Sequence, residues 1–319
     1  MDETNSPSAD ADKKPVSVAV RTVIGAGLIV GLGILLWLDH AGARLLPAGA
    51  AAPSILGQLL EDGLLMAAVA AVIVGVGLLE YARMARRLGA RFSAASLAGV
   101  GVVLFLLEWA GWAYSRGHFS ACPQWLREPG LTVSVGLCAV ALGVPGLWAV
   151  RGRVEAAGAT AGHFVMGLLY VMVPLGFIAG VRVRWGVPGV VTLLAVCKCT
   201  DIGAYYAGKT FGGPKLAPVV SPRKTWAGVA GAVVAACAMS VALSVVGWSG
   251  LGAGAALAYG VLMAAGAVVA DLAESALKRE AGIKDSGNLL PGSGGVLDMA
   301  DDVLFAVPFT YVFFALAHA

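Results

Sequence analysis

Acidic side chains are scarce in this chain and unevenly placed. Of its 19 Asp and Glu residues, eight fall between positions 201 and 302: Asp201, Asp271, Glu274, Glu280, Asp285, Asp298, Asp301 and Asp302. Asp201 and Asp271 each close a long apolar run, and Asp298 to Asp302 open another. Helical spacing groups them further. Asp298 and Asp301, three apart, share a helix face, with Asp302 beside them; Asp271, Ser275 and Lys278 fall on one stripe at intervals of four and three. Carboxylates crowded at one depth repel unless a positive charge lies between them. A hard divalent cation with oxygen ligands, Mg²⁺ above all, is the usual counterion. The plainer alternative is a neutral surface network in which these acids pair with Lys215, Lys224, Lys278, Arg279 and Lys284.

Two Gly-rich basic segments accompany the acids. Residues 201–228 carry Gly208, Gly212 and Gly213 together with Lys215, Ser221, Arg223, Lys224 and Thr225. Glycine lets backbone approach a ligand closely, and the basic and hydroxyl groups are the donors that phosphate oxygens need. Thr225 also precedes an apolar run, where a helix N-terminus favours an anion. Residues 278–302 contain Pro291, Gly292, Ser293, Gly294 and Gly295 just ahead of the last apolar run. Taken together, the two segments describe a site that holds polyphosphate through bases and backbone amides, and a metal through acids.

The elements that must position these groups are membrane helices. The 319-residue chain is 59% hydrophobic and only 13% charged, against roughly 25% charged in soluble domains. Its mean hydropathy of +0.83 excludes a soluble globular domain, a disordered chain and a collagen-like fibre. Nine stretches approach the roughly 20 apolar residues that a crossing needs: about 22–38, 63–82, 94–114, 130–150, 163–181, 185–200, 226–247, 253–272 and 303–318. None alternates with period two, which excludes a barrel. The expected fold is therefore all-α, a polytopic transmembrane bundle of about nine helices. Small residues at 48–52 lie too far beyond the first run for signal cleavage, so that run is expected to be retained. Residues 1–21 read as a cytoplasmic N-terminal tail, 22–190 as N-terminal transmembrane helices, and 191–319 as a C-terminal catalytic transmembrane region.

Charge orients the bundle. With the N-terminus cytoplasmic, only Arg44, Arg116, Arg127, Arg182 and Arg184 of the 22 Lys and Arg residues fall on the outer side. This is the asymmetry of the positive-inside tendency. The site loops are then cytoplasmic, and a bacterial inner membrane is the expected location. A net charge of +3 gives no case for nucleic acid. Five cysteines sit mostly inside apolar runs and read as buried hydrophobes.

These residues resemble the phosphatidate cytidylyltransferase (CDP-diacylglycerol synthase) family. The resemblance is carried by Ser275, Lys278, Arg279, Lys284, Asp285, Gly287, Leu290, Pro291, Gly294, Gly295, Asp298 and Asp301, at the spacing of that family's signature. The block from Asp201 through Ser221, Pro222, Lys224 and Thr225 is similar to a second family block, and the likeness covers about residues 195–315. Upstream it rests on hydropathy and on Glu80 and Tyr81 closing a helix. Three positions depart from the pattern: Ser293 stands for a His, Met299 for an Arg and Asp302 for a Ser.

The resemblance implies transfer of CMP from CTP to phosphatidic acid, giving CDP-diacylglycerol and pyrophosphate. The lipid phosphate is already an anion, so the protein must supply charge neutralisation and in-line alignment rather than a nucleophile. Asp271, Asp298 and Asp301, with Asp201 at a second site, are the expected ligands of Mg²⁺ and of a further cation. Asp271, Asp298, Lys224, Lys278 and Arg279 are the expected catalytic residues, the three cations among them gripping the phosphates. Lys215, Ser221, Thr225, Lys284, Gly294 and Gly295 are expected to bind substrate. Expected partners are CTP, phosphatidic acid and membrane lipids; a homodimer is left open.

Three other readings stand beside this one: a transporter with intramembrane acids, a CTP-dependent enzyme acting on another lipid phosphate, and a non-catalytic paralogue. The four histidines are scattered away from the acids, and Cys197 with Cys199 lacks a second pair. Arg83, Arg86, Arg87 and Arg91 read as topology determinants that touch anionic lipid. Glu108, well inside the third run, either pairs with a neighbour or lines a cavity.

Overall fold

A computed structural model describes residues 27, 30–41, 55–116, 129–150, 157–287, 289 and 294–318. The tail at 1–21, the start of the first expected span, Arg44, His118, Arg127 and Ser293 lie outside the described residues. Among the described residues ten helices follow one another: α1 Val30–Ala41, α2 Ile55–Glu61, α3 Leu64–Arg87, α4 Ala94–Ser115, α5 Pro129–Val150, α6 Ala157–Gly167, α7 Val173–Phe211, α8 Trp226–Val245, α9 Ala253–Glu280 and α10 Leu297–Ala317. A π turn, Leu168–Met172, joins α6 to α7, and a small antiparallel hairpin, β1 Lys215–Ala217 with β2 Ser221–Thr225, joins α7 to α8. The fold is an all-α polytopic membrane bundle.

Among the described residues six helical stretches are long and apolar enough to cross a bilayer, and the longest runs 55 residues from Ala157 to Phe211. At about 1.5 Å per residue that length would exceed twice the hydrocarbon thickness. It is not one rod. Gly186 breaks it at φ 69°, ψ −164°, with Pro188 two residues on. The division matches the expected spans at 163–181 and 185–200. Val30–Ala41 and Val133–Leu147 are apolar but shorter; a count of nine needs both as crossings.

Helix ends differ from expectation at the acids. The sixth span was expected to close at Asp201, yet α7 continues to Phe211 because no breaker precedes Gly212, Gly213 and Pro214. Asp201 therefore lies within a helix, and what read as one loop is a helix end followed by the hairpin. Likewise α9 runs on to Glu280, beyond the expected end at 272, so Asp271, Ser275 and Lys278 sit on one continuous helix.

Small residues let the C-terminal helices approach closely, as membrane interfaces require. A Cβ at Gly231 would meet Ala207 and the Gly203 carbonyl, and one at Gly260 would meet the Cys237 backbone. The aromatic ring of Tyr259 is fully buried, its hydroxyl 2.9 Å from Thr310 Oγ1. Glu108 is buried in α4 against Gly176 of α7, where any Cβ would strike the carboxylate.

The helix ends sort into two rims. At one, buried Arg182 donates to Asp39 at 2.5 Å and to the Glu61 carbonyl at 3.3 Å, and Arg116 pairs with Asp62 at 3.5 Å. Gly63, at φ 80°, packs on the Arg182 side chain, so a larger residue there is excluded twice over. The far ends of α3, α9 and α10 and the hairpin meet at the other rim, with most of the acids.

Candidate active site

The last turns of α9 and the first of α10 converge. Asp271, Glu274 and Asp301 each offer a carboxylate oxygen, and these oxygens lie within 4.8 Å of one another. Glu274 is 3% exposed, and its Oε1 is buried with no hydrogen-bond partner among the described residues. An orphaned carboxylate oxygen beside two further carboxylates is a donor set that could hold a hard cation. Glu274 was not among the residues expected to bind metal.

Bases frame the triad. Lys224, on β2, reaches Asp271 at 2.5 Å. Lys278, one turn beyond Glu274, bridges Glu274 at 2.7 Å and Asp298 at 2.9 Å. Ser275 donates to Asp271 at 3.3 Å. Two ammonium groups thus face the three carboxylates of the triad, and Lys278 is shared with Asp298.

Asp298 does other work. Its Oδ2 accepts the backbone N–H groups of Gly295 at 2.7 Å and Ser286 at 2.8 Å. This carboxylate anchors the approach to α10, where acids are favoured by the unpaired N–H groups of a helix start. Gly294 beside it sits at φ 86°, and a Cβ there would collide with the Asp298 carboxylate. Glu80 of α3 holds the same segment from below. It is 2% exposed and accepts from Val296 N, Leu297 N and Ser286 Oγ at 3.1, 2.9 and 3.2 Å. Buried Glu80 and half-buried Asp298 thus fix Gly295 and the start of α10.

Consecutive helix residues point about 100° apart, and α10 uses this to build two clusters. Asp301 faces α9, whereas Asp302 is buried toward α7, both of its oxygens 3.0 Å from Lys198 Nζ. Lys198 also reaches Asp201 at 3.7 Å and the Met299 carbonyl at 3.4 Å. Asp201, expected to ligate metal, therefore lies with Lys198 and Asp302 rather than in the triad. Lys198 supplies a cation beside Met299, where the family pattern has an Arg, and neutralises the Asp that stands for a Ser.

The remaining expected residues disperse. Thr225 caps α8, its Oγ accepting from Gly228 N at 3.2 Å. Lys215 and Lys284 are exposed. Arg279 is exposed too and donates to the Ile283 carbonyl at 3.2 Å. Ser221 is half-buried where the hairpin turns. Tyr170, in the π turn, is an addition: its hydroxyl is buried without a partner among the described residues, and it lies in the field of Glu274, Asp301 and Asp298. Such turns recur at functional sites, but hydropathy alone carries no sign of this one.

A sequence model described as the Cytidylyltransferase family matches residues 42–317. Among curated proteins, a phosphatidate cytidylyltransferase of Brucella suis is 45% identical over 134 residues, covering 41% of this chain and 48% of that protein. One from Helicobacter pylori is 42% identical over 148 residues, covering 45% and 54%. The Bacillus subtilis protein of the same name is 39% identical over 133 residues, covering 42% and 49%. The chain spans about half the length of these relatives.

Proposed function

This chain belongs to the Cytidylyltransferase family, and from that premise we propose that it transfers CMP from CTP to phosphatidic acid, forming CDP-diacylglycerol. The reading is carried by the convergence of Asp271, Glu274 and Asp301 with Lys224 and Lys278 at one rim, joined to the name that its relatives bear. A phosphate oxygen of the lipid attacks the α-phosphorus of CTP; the bond to the β-phosphate oxygen breaks, and pyrophosphate leaves with that electron pair. No side chain needs to act as nucleophile.

The orphaned Glu274 oxygen and its two neighbours fit a divalent cation, so Asp271, Glu274 and Asp301 are the residues that would hold Mg²⁺. When bound, it supplies positive charge against the oxygens of the nucleotide phosphates. Lys224 and Lys278 present ammonium groups at the edge of the cluster, where incoming phosphates need donors. Asp298 and Glu80 hold the α10 start rigid, which keeps Asp301 aimed at α9. Lys198 and Asp302 fix α7 against α10 from the other side. The reading sets this rim on the cytoplasmic face of a bacterial inner membrane, because Arg83–Arg91, Lys198–Lys224 and Lys278–Lys284 all lie toward it.

The test is incorporation of radiolabelled CTP into phosphatidic acid by the purified chain, with and without Mg²⁺. Metal-dependent label in lipid is the expected result. Label only with a different lipid phosphate would reassign the substrate, and solute flux without incorporation would favour transport.

A further inference from the structure

Outside the carboxylate cluster, Arg83, Met84 and Arg87 of α3 face Ile283, Asp285, Ser286 and Gly287 across a cavity of about 240 Å³. Arg83 and Arg87 are four apart, so their guanidinium groups rise from one helix face. Both are exposed, and neither forms an ion pair among the described residues. Asp285 is the one acid in the lining, so the cavity carries two positive charges against one negative. At about 30 Å³ per water the space equals about eight waters, enough for a phosphate group and its ester substituent but tight for a whole nucleotide. The wall opposite the arginines is firmly held. Ser286 donates through N to Asp298 and through Oγ to Glu80, and Glu80 lies one turn before Arg83 on the same helix.

We infer that Arg83 and Arg87 form a second phosphate-recognition pocket, which takes the phosphate of a lipid headgroup or the terminal phosphate of a nucleotide beside the Ser286 wall. Guanidinium forks match phosphate oxygens in pairs, whereas free lysines would bind as point charges. The pocket lies at the C-terminal end of α3, whose last turn carries both Met84 and Arg87. Its occupant would press on the residue that anchors Asp298. The site goes beyond the proposed transfer reaction, since it binds a phosphate whether or not transfer occurs.

The experiment uses the full chain in phosphatidylcholine nanodiscs and the charge-removing variant Arg83→Gln/Arg87→Gln. One arm measures retention of added phosphatidic acid by native mass spectrometry; the other measures CTP affinity by titration calorimetry without divalent metal. The variant should lose at least about tenfold in one arm, as two charge-assisted contacts imply, and the affected arm names the occupant. Mn²⁺ affinity at the triad should stay unchanged. Unaltered affinity in both arms overturns the inference. Arg83→Lys/Arg87→Lys, which keeps the charge, serves if the glutamine variant lowers the melting temperature; it should show an intermediate loss, and wild-type binding would equally overturn the pocket.

Discussion

Removing the Lys198 charge gives the most quantitative test of how α7 is tied to α10. Both oxygens of Asp302 lie 3.0 Å from Lys198 Nζ, and the two side chains are 4% and 50% exposed. Breaking a fully buried pair by deleting one partner costs about 3–5 kcal/mol, whereas exposed pairs are worth about 0–1 kcal/mol. A buried acid facing a half-exposed lysine falls between, so Lys198→Met should destabilise by about 2 kcal/mol. Most of that penalty is the stranded Asp302 carboxylate. Asp302→Ser alone should cost less than about 1 kcal/mol, because Lys198 can turn to water and to Asp201. The double variant should recover most of the loss, giving a coupling energy of about 1.5 kcal/mol. Denaturant unfolding in detergent micelles, followed by tryptophan fluorescence, measures all four corners of the cycle. Additive losses would refute the pairing, as would a Lys198→Met cost below about 0.5 kcal/mol.

Other perturbations separate the roles within the site. Glu274→Gln and Asp301→Asn should each lower CMP transfer by at least about a hundredfold, the upper range for disturbed metal shells, with normal membrane insertion in a fractionation assay. Asp298→Asn should also abolish product formation, because an amide cannot accept from Lys278, Gly295 and Ser286 as the carboxylate does; full activity would contradict its anchoring role. Tyr170→Phe should reduce kcat by about tenfold while leaving the melting temperature within a degree or two, since its hydroxyl has no partner to lose. Gly294→Ala should destabilise by at least about 1–2 kcal/mol from the left-handed backbone alone, and thermal unfolding reads this directly.

Hydropathy made most of the helices legible. Their ends were not, because an acid closing an apolar run looks like the end of a helix. Asp201 and Asp271 sit in helices that continue for another two or three turns, since only Gly212 and the Ala281–Gly282 turn stop them. Glu274 was overlooked for a related reason. The stripe through Asp271, Ser275 and Lys278 passes beside it, and only the approach of Asp301 from α10 turns it into the centre of a triad. Asp298 shares a face with Asp301, yet the backbone N–H groups of Ser286 and Gly295 capture it, a contact that helical spacing does not encode. The Gly186 break falls beside the boundary expected between the spans 163–181 and 185–200, whereas the Arg182–Asp39 pair joins residues 143 positions apart.

Anomalous scattering from crystals soaked in Mn²⁺ tests the central claim most directly. The account predicts a manganese peak about 2.0–2.6 Å from oxygens of Asp271, Glu274 and Asp301, at hard-cation distances. A peak held instead by Asp201 and Asp302, with none at the triad, would contradict it.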